Sequence, residues 1–497
     1  MKFRVRRLVR ALRIVIPVAI ALDVLVSSVA ATAADVAQPT FPDDAGFGIM
    51  KSLSERGLHD IHDESWNLYG QYTYIQFWKP AFHASYTNAN GSNSSLTPDP
   101  EDSFTQTVSI FSGFRTWKSG EVYFVPEVIV EKTLSQLKGI GGATENFELQ
   151  KTGGPAPQFY RSRLFLRQTM EFGGERVDLP SGEMQLGKQV DSRRLVVTAG
   201  NFSKLDVFDK NNVVGDLRRN FFDEAFMTNS AYDFPADARG YSMGLALEFY
   251  WDNWVVRLAR LMPPKNPNEQ SLDSRLFSFY GDTLELEHDH IWNGQPGAVR
   301  LLVFRNSEFM GRFSDAISAY NADPTKNAAN CGSLYNYGSQ NANAPDLCWA
   351  RRPNVKMGYG LNLEQNITSD VGVFFRAMYT DGQTEVDAYD SADQSATLGA
   401  LIKGASWRRP LDTFGLGLGV STISDIHAQY LSMGGVDGFL GDGGLSKASE
   451  ELLEAFYSVN ILKALWVSAD YQRIWNPGYN SDRGPVNLYG GRIHAEF

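Results

Sequence analysis

The chain has 497 residues, of which 12% are aromatic and 45 are Gly, and 57 acidic side chains against 46 Lys and Arg give a formal charge of −11. Residues 1–33 hold six basic side chains and one acid, so the chain without them carries about −16, a balance that argues against nucleic acid as a partner. No uninterrupted apolar run reaches the roughly 18 residues a spanning helix needs, which excludes a helical membrane protein.

In chain order the first element is a leader. Basic residues up to Arg13, an apolar stretch from Ile14 to Leu22 and Ala31-Thr32-Ala33 follow the order of a secretory signal, although Asp23 interrupts the apolar part. Export is expected, with a mature chain beginning near Ala34. Residues 34–65 carry no strand periodicity, and Gly46 to Leu58 fits a short amphipathic helix, either periplasmic or a partial plug. From Trp66 onward the period is two, the signature of strands. Sixteen such segments are expected at 66–79, 103–117, 121–131, 159–172, 193–201, 239–251, 254–263, 281–290, 297–306, 355–367, 371–381, 394–406, 413–421, 451–461, 464–474 and 486–497.

Connections after even-numbered segments shrink to a few residues, such as Asp252-Asn253, Ser369-Asp370 and Lys463, while those after odd-numbered segments are long. That asymmetry predicts a closed, 16-stranded antiparallel transmembrane β-barrel over 66–497, with short periplasmic turns and long external loops. Residues 173–192 break the rule. Apolar Met357, Tyr359, Leu361 and Leu363 interleave with Lys356, Gly358, Gly360, Asn362 and Glu364, as a wall between lipid and water requires. Trp66, Trp78, Trp117, Trp251, Trp254, Trp407, Trp466 and Tyr489 recur near segment ends, where an interfacial girdle belongs. The closing segment ends on Phe497, which resembles the C-terminal signal read by the barrel-assembly machinery.

Candidate chemistry concentrates on Tyr160 to Thr169. Period two puts Arg161, Arg163 and Arg167 on one face and Leu164 and Leu166 on the other. An Arg on the lipid face at mid-bilayer costs about 2–4 kcal/mol, so the lumen is the expected place for all three. Forked guanidiniums donate to vicinal hydroxyls and carboxylates accept from them. Glu127, Glu285, Glu287 and Asp470 are the candidate carboxylates, and Trp466, Phe165 and Tyr123 the candidate stacking rings. The segment 202–238 is long enough to fold inward. Its Asp and Asn spacing near 201–211 is explained by Asx-turns without a metal.

The two cysteines, Cys331 and Cys348, lie in a polar stretch of the long connection 307–354 and are expected to form one disulfide, worth about 3 kcal/mol on a loop-entropy argument. Seven histidines are scattered, and His288 and His290 lack a third ligand. No nucleophile elbow, Walker loop or dinucleotide fingerprint is present, so no enzyme, metal or cofactor is expected.

Trp78-Lys79-Pro80-Ala81-Phe82, Tyr123 to Glu127, Tyr160 to Gln168, Asp237 to Tyr241, Asp470-Tyr471-Gln472 and Asn476 to Val486 together resemble the carbohydrate-selective porin family, the OprB type, of Gram-negative outer membranes. The resemblance covers about 66–497. It implies facilitated diffusion of monosaccharides or small oligosaccharides through an eyelet of Arg, Glu and aromatic side chains, often in a homotrimer embedded in outer-membrane lipid. The substrate-binding positions expected on that basis are Arg161, Arg163, Arg167, Glu127, Asp470 and Trp466. The long connection carrying the cysteines and the segment before Trp66 depart from the pattern. The competing reading is a secretion pore for an acidic exopolysaccharide, which needs a lumen far richer in cations than the recurrence of Glu127, Glu285, Glu287, Glu364 and Asp470 allows.

Overall fold

Strands that face lipid on one side and water on the other must alternate, and a sheet in a bilayer must close because an open edge leaves unpaired backbone groups in hydrocarbon. The computed structural model describes residues 48–144, 146, 148, 154–332, 339–387 and 391–497. The expected leader 1–33 and residues 34–47 lie outside them. Sixteen antiparallel strands close into one barrel: β1 (Trp66–Lys79), β2 (Glu101–Trp117), β3 (Gly120–Lys132), β4 (Gln158–Glu171), β7 (Arg194–Phe202), β8 (Ser242–Trp251), β9 (Trp254–Leu261), β10 (Tyr280–Trp292), β11 (Gln295–Met310), β12 (Arg352–Asn366), β13 (Val371–Thr380), β14 (Gln394–Gly404), β15 (Arg409–Thr422), β16 (Glu450–Asn460), β17 (Leu465–Trp475) and β18 (Val486–Glu496). The other two strands, β5 (Arg176–Leu179) and β6 (Lys188–Asp191), form a hairpin of their own inside the connection 172–193 that departed from the turn pattern.

The barrel closes where β1 pairs β18, from Gln71 opposite Glu496 to Trp78 opposite Tyr489. Phe497 continues that pairing, exchanging backbone hydrogen bonds of 2.8 and 2.9 Å with Gly70. A Cβ at position 70 would stand 2.2 Å from the Phe497 ring, so the seam needs a glycine there.

The outer face is apolar: Leu245, Leu258, Leu284, Leu301, Val303, Leu416, Leu418 and Ile493 are all exposed. Exposed Trp117, Trp251, Trp254, Trp292 and Trp407 border the short turns, and Trp78 packs 5.7 Å from Tyr489 near the opposite end. Trp466 does not belong to that girdle; it is 8% exposed and points inward. Among the described residues no helix is long and apolar enough to cross a membrane. The α-helices of the described residues are α1 (Ile49–Glu55), ahead of β1, and α2 (Glu224–Met227), α3 (Phe313–Ala322) and α4 (Asp425–Ser432), in long loops. Cys331 and Cys348 are joined in the loop that carries α3, with their Cα atoms 6.5 Å apart.

Candidate functional site

Inward positions of the wall are filled with charge. Arg257 of β9 lies 3.3 Å from Glu248, 2.8 Å from Glu285 and 3.0 Å from Glu287. Arg300 of β11 continues the series, contacting Glu287 and standing 3.1 Å from Glu364. Such pairs satisfy one another, because an isolated charge in a protein-lined interior costs more than its neighbours return. Glu285 and Glu287 are thereby committed to the wall.

The third long loop, L3 (203–241), crosses the lumen, and the wall holds it by its backbone. Glu285 accepts the Asp209 N–H at 2.8 Å, and Glu454 accepts those of Phe222 and Asp223 at 2.6 and 3.0 Å. Arg376 donates to the Asp209 and Phe226 carbonyls at 2.7 Å each. Arg492 donates to the Leu217 and Arg219 carbonyls at 2.7 and 2.8 Å. A loop with few internal partners has its polar backbone satisfied this way, and charge-assisted bonds of this length are the stronger kind. Apolar packing fixes the middle of the loop: Phe221 lies 4.7 Å from Phe226, 5.1 Å from Phe456 and 5.7 Å from Phe374 of the wall. Gly417 on β15 makes room, since a Cβ there would stand 2.6 Å from Phe226. The Asn211 carboxamide accepts the Val213 and Val214 N–H groups at 3.0 and 3.1 Å, an Asx-turn that accounts for the polar spacing of the segment without a metal.

The expected site residues divide. Arg163 points into the lumen and binds Asp206 of L3 through two bonds of 2.7 Å. Arg167 donates to the Met184 carbonyl at 2.8 Å and lies over the Tyr123 and Phe165 rings at 5.0 and 5.4 Å. Trp466 carries the Arg219 guanidinium on its face at 4.6 Å. Glu127 is a buried hub, accepting from Ser109 at 2.7 Å, from Tyr241 at 3.3 Å and from Tyr160, with Arg218 of L3 at 3.5 Å. Asp470 faces inward but is buried beside Glu454.

Arg161 is a correction. The β3–β4 register shifts between Val125 and Pro126, so that Arg163 faces Val125 but Arg161 faces Pro126. The extra residue, Ser162, is tied to the Val125 carbonyl at 2.9 Å. Arg161 therefore falls on the face of Phe124 and Leu164, which is the lipid face, and its Nε reaches Asn201 at 3.4 Å near the outer end of the wall. A proline inside a strand was the available signal, because it cannot donate to the ladder and marks bulges.

Sequence reasoning missed the charged groups that L3 brings in. Lys210 is exposed to the lumen, with Glu248, Arg257, Arg167 and Asp206 as its electrostatic neighbours. Arg218 lies 3.0 Å from Glu148, and Arg219 lies 3.0 Å from Glu496. Arg257, Arg300, Arg376 and Arg492 were readable as inward by period two, whereas Asp206 to Arg219 sit in a loop whose path no local pattern reports.

A closed wall, apolar outside and charged within, narrowed by a loop folded into its bore, defines a transmembrane β-barrel of the porin type. OprB of Pseudomonas putida shares the fold with a TM-score of 0.63 at 14% identity, over 90% of this chain and 96% of that one. The channel DcaP of Acinetobacter baumannii aligns with a TM-score of 0.47 at 9% identity, over 88% and 99%. No curated protein matches in sequence. The carbohydrate-selective porin family, OprB, matches residues 60–497, and the chain belongs to that family. Its family and fold are those of passive channels.

Proposed function

We propose that the barrel passes monosaccharides and small oligosaccharides by facilitated diffusion, through an eyelet lined by Arg163, Arg167, Lys210, Arg218 and Arg219 opposite Asp206, Glu183 and Glu496. The observation that carries this reading is the mixture of signs around L3: Arg163 is matched by Asp206 and Arg219 by Glu496, each pair joining the wall to the loop at 2.7 and 3.0 Å. Paired charges give little net field for an ion, yet they offer closely spaced donors and acceptors to a neutral polyol. The Arg219–Trp466 stack adds a polar and aromatic platform of the kind a sugar ring can lie against. An exporter of acidic polymer fits less well, because acids recur along the bore.

Within this reading Glu127 and Asp470 act as anchors of the wall and of L3, Arg163, Arg167 and Arg219 touch solute, and Trp466 supports Arg219 from behind. Residues 1–33 serve export, and Phe497, at the closing seam, is the feature offered to the assembly machinery. Liposome swelling with the refolded protein tests the proposal. Faster entry of glucose and a disaccharide than of a charged solute of similar size supports it; entry rates that follow size alone refute the selectivity.

A further inference from the structure

The connection between β4 and β7 does not lie flat under the barrel. Its hairpin β5–β6 turns upward, and the tip, residues 181–187, is held by inward-facing groups of the wall. The Tyr123 hydroxyl accepts the Leu186 N–H at 3.0 Å. Asn67 donates to the Gly182 and Gln185 carbonyls at 3.1 and 2.8 Å. Glu64, just ahead of β1, accepts from the Ser181 hydroxyl at 2.6 Å and from the Gly187 N–H at 2.8 Å, and Lys188 pairs with Glu121. Leu186 is fully buried, and Gly187 lies so close to the Ile61 carbonyl that a Cβ would stand 1.9 Å from it.

The turn itself is strained in a telling place. Gly182 and Gln185 bond each other through both backbone groups, leaving Glu183 and Met184 at the apex, and Met184 has φ +54°. A non-glycine residue in that region costs free energy and persists only where its surroundings enforce it. Met184 is enforced by the Arg167 bond to its carbonyl. Glu183 is exposed, makes no ion pair among the described residues, and faces Asp216, Arg218 and Arg219 of L3 and Glu496 of β18. Arg218 is committed to Glu148 and Glu127 and Arg219 to Glu496, so Glu183 and Asp216 are the acids of this group without an ion pair among the described residues, and Glu183 is the one at the apex of the hairpin.

We propose that the hairpin tip is the periplasmic half of the constriction, narrowing the bore opposite L3, and that Glu183 at its apex makes the exit favour cations over anions while neutral sugars pass. The proposal rests on the reading that the lumen conducts solute. Enclosure by the protein, with Glu496 and Asp216 facing it, raises the Glu183 carboxyl against the opposing pull of Arg218 and Arg219. Its charge, and the cation preference it confers, therefore grows as pH rises.

The test is single-channel recording of the full chain in planar bilayers, for the wild type, a variant with Ser181–Leu186 replaced by Gly-Gly, Glu183→Gln, and Glu175→Gln as a control on the exposed base of the same hairpin. The shortened tip is expected to raise conductance by about twofold or more and to admit longer maltooligosaccharides, as a wider bore must. Glu183→Gln is expected to move the reversal potential in a salt gradient toward anions and to remove its rise in cation preference with pH; Glu175→Gln is expected to leave both unchanged. If the shortened chain does not fold, judged by heat-modifiable migration, Glu183→Ala with Met184→Ala replaces it. A folded tip variant with wild-type conductance and size limit overturns the steric assignment, and a wild-type reversal potential in Glu183→Gln overturns the charge assignment. A wild-type channel that admits no sugar contradicts the functional reading instead, so the two failures are told apart.

Discussion

L3 and the β5–β6 hairpin enter the same bore from opposite ends, and they are held in different ways. L3 touches nearly the whole circumference: Glu285, Arg376, Glu454 and Arg492 bind its backbone from β10, β13, β16 and β18. The hairpin is held on one side only, the sector from β1 to β4, by Glu64, Asn67, Glu121, Tyr123 and Arg167. A segment anchored to many strands moves only if the wall moves, whereas one anchored to a single sector can be released alone. The outer narrowing is thus a fixed diaphragm and the inner one a separable sill.

The largest effect is expected from breaking the diaphragm. Arg376→Met with Arg492→Met leaves the Asp209, Phe226, Leu217 and Arg219 carbonyls without their donors. Removing one side of a buried charged arrangement costs on the order of 3–5 kcal/mol, so heat-modifiable migration should shift to lower temperature and swelling assays should lose their preference for neutral sugar. Glu64→Ala should act on the sill and on the short segment ahead of β1, where Glu64 also holds His59 at 3.0 Å, and leave L3 in place. It removes the acceptor of Ser181 and Gly187, so noisier current with little change in thermal resistance is expected in bilayer recordings.

A third contrast lies at the outer mouth, where long loops meet over His427 of α4. Its Nδ1 is 3.1 Å from Asp393 and its Nε2 3.2 Å from Asp437, and its ring stacks on Phe313 of α3 at 4.2 Å. Burial alone would lower the imidazole, but the two carboxylates outweigh it and push it up to about 9. A folded-state value above the unfolded one means the contribution is complete below about pH 6.5 and disappears as pH rises through about 9. Thermal midpoints measured from pH 6 to 10 should fall across that window in the wild type and stay flatter in His427→Gln. The smallest effect is expected at Arg161. Arg161→Ala should leave sugar flux unchanged because the side chain is outside the bore, while Arg163→Ala frees Asp206 and should slow neutral sugar entry.

The wall was legible because its rule is local. Each residue of a spanning strand meets either lipid or the lumen, so period two and turn length suffice to place all sixteen strands near their observed bounds. The same locality explains the error at Arg161, where one extra residue opposite Pro126 reverses the faces beyond it. Loops that fold inward obey no local rule. Asp206, Lys210 and Arg219 owe their place to Glu285, Arg376 and Arg492, partners far away in sequence, and the hairpin tip owes its place to Glu64 and Tyr123. For that reason the anchors Glu127 and Asp470 were read as lining residues. They do face inward, but Ser109, Tyr160 and Tyr241 occupy Glu127, and Asp470 is buried beside Glu454.

The claim that neutral sugar occupies the eyelet is tested most directly by titrating a disaccharide into the bath while single-channel ion current is recorded. A current that falls along a saturating curve, and less steeply in the Arg163→Ala variant, is the predicted result. A fall that only follows the rising viscosity of the bath, alike in both proteins, would contradict the account.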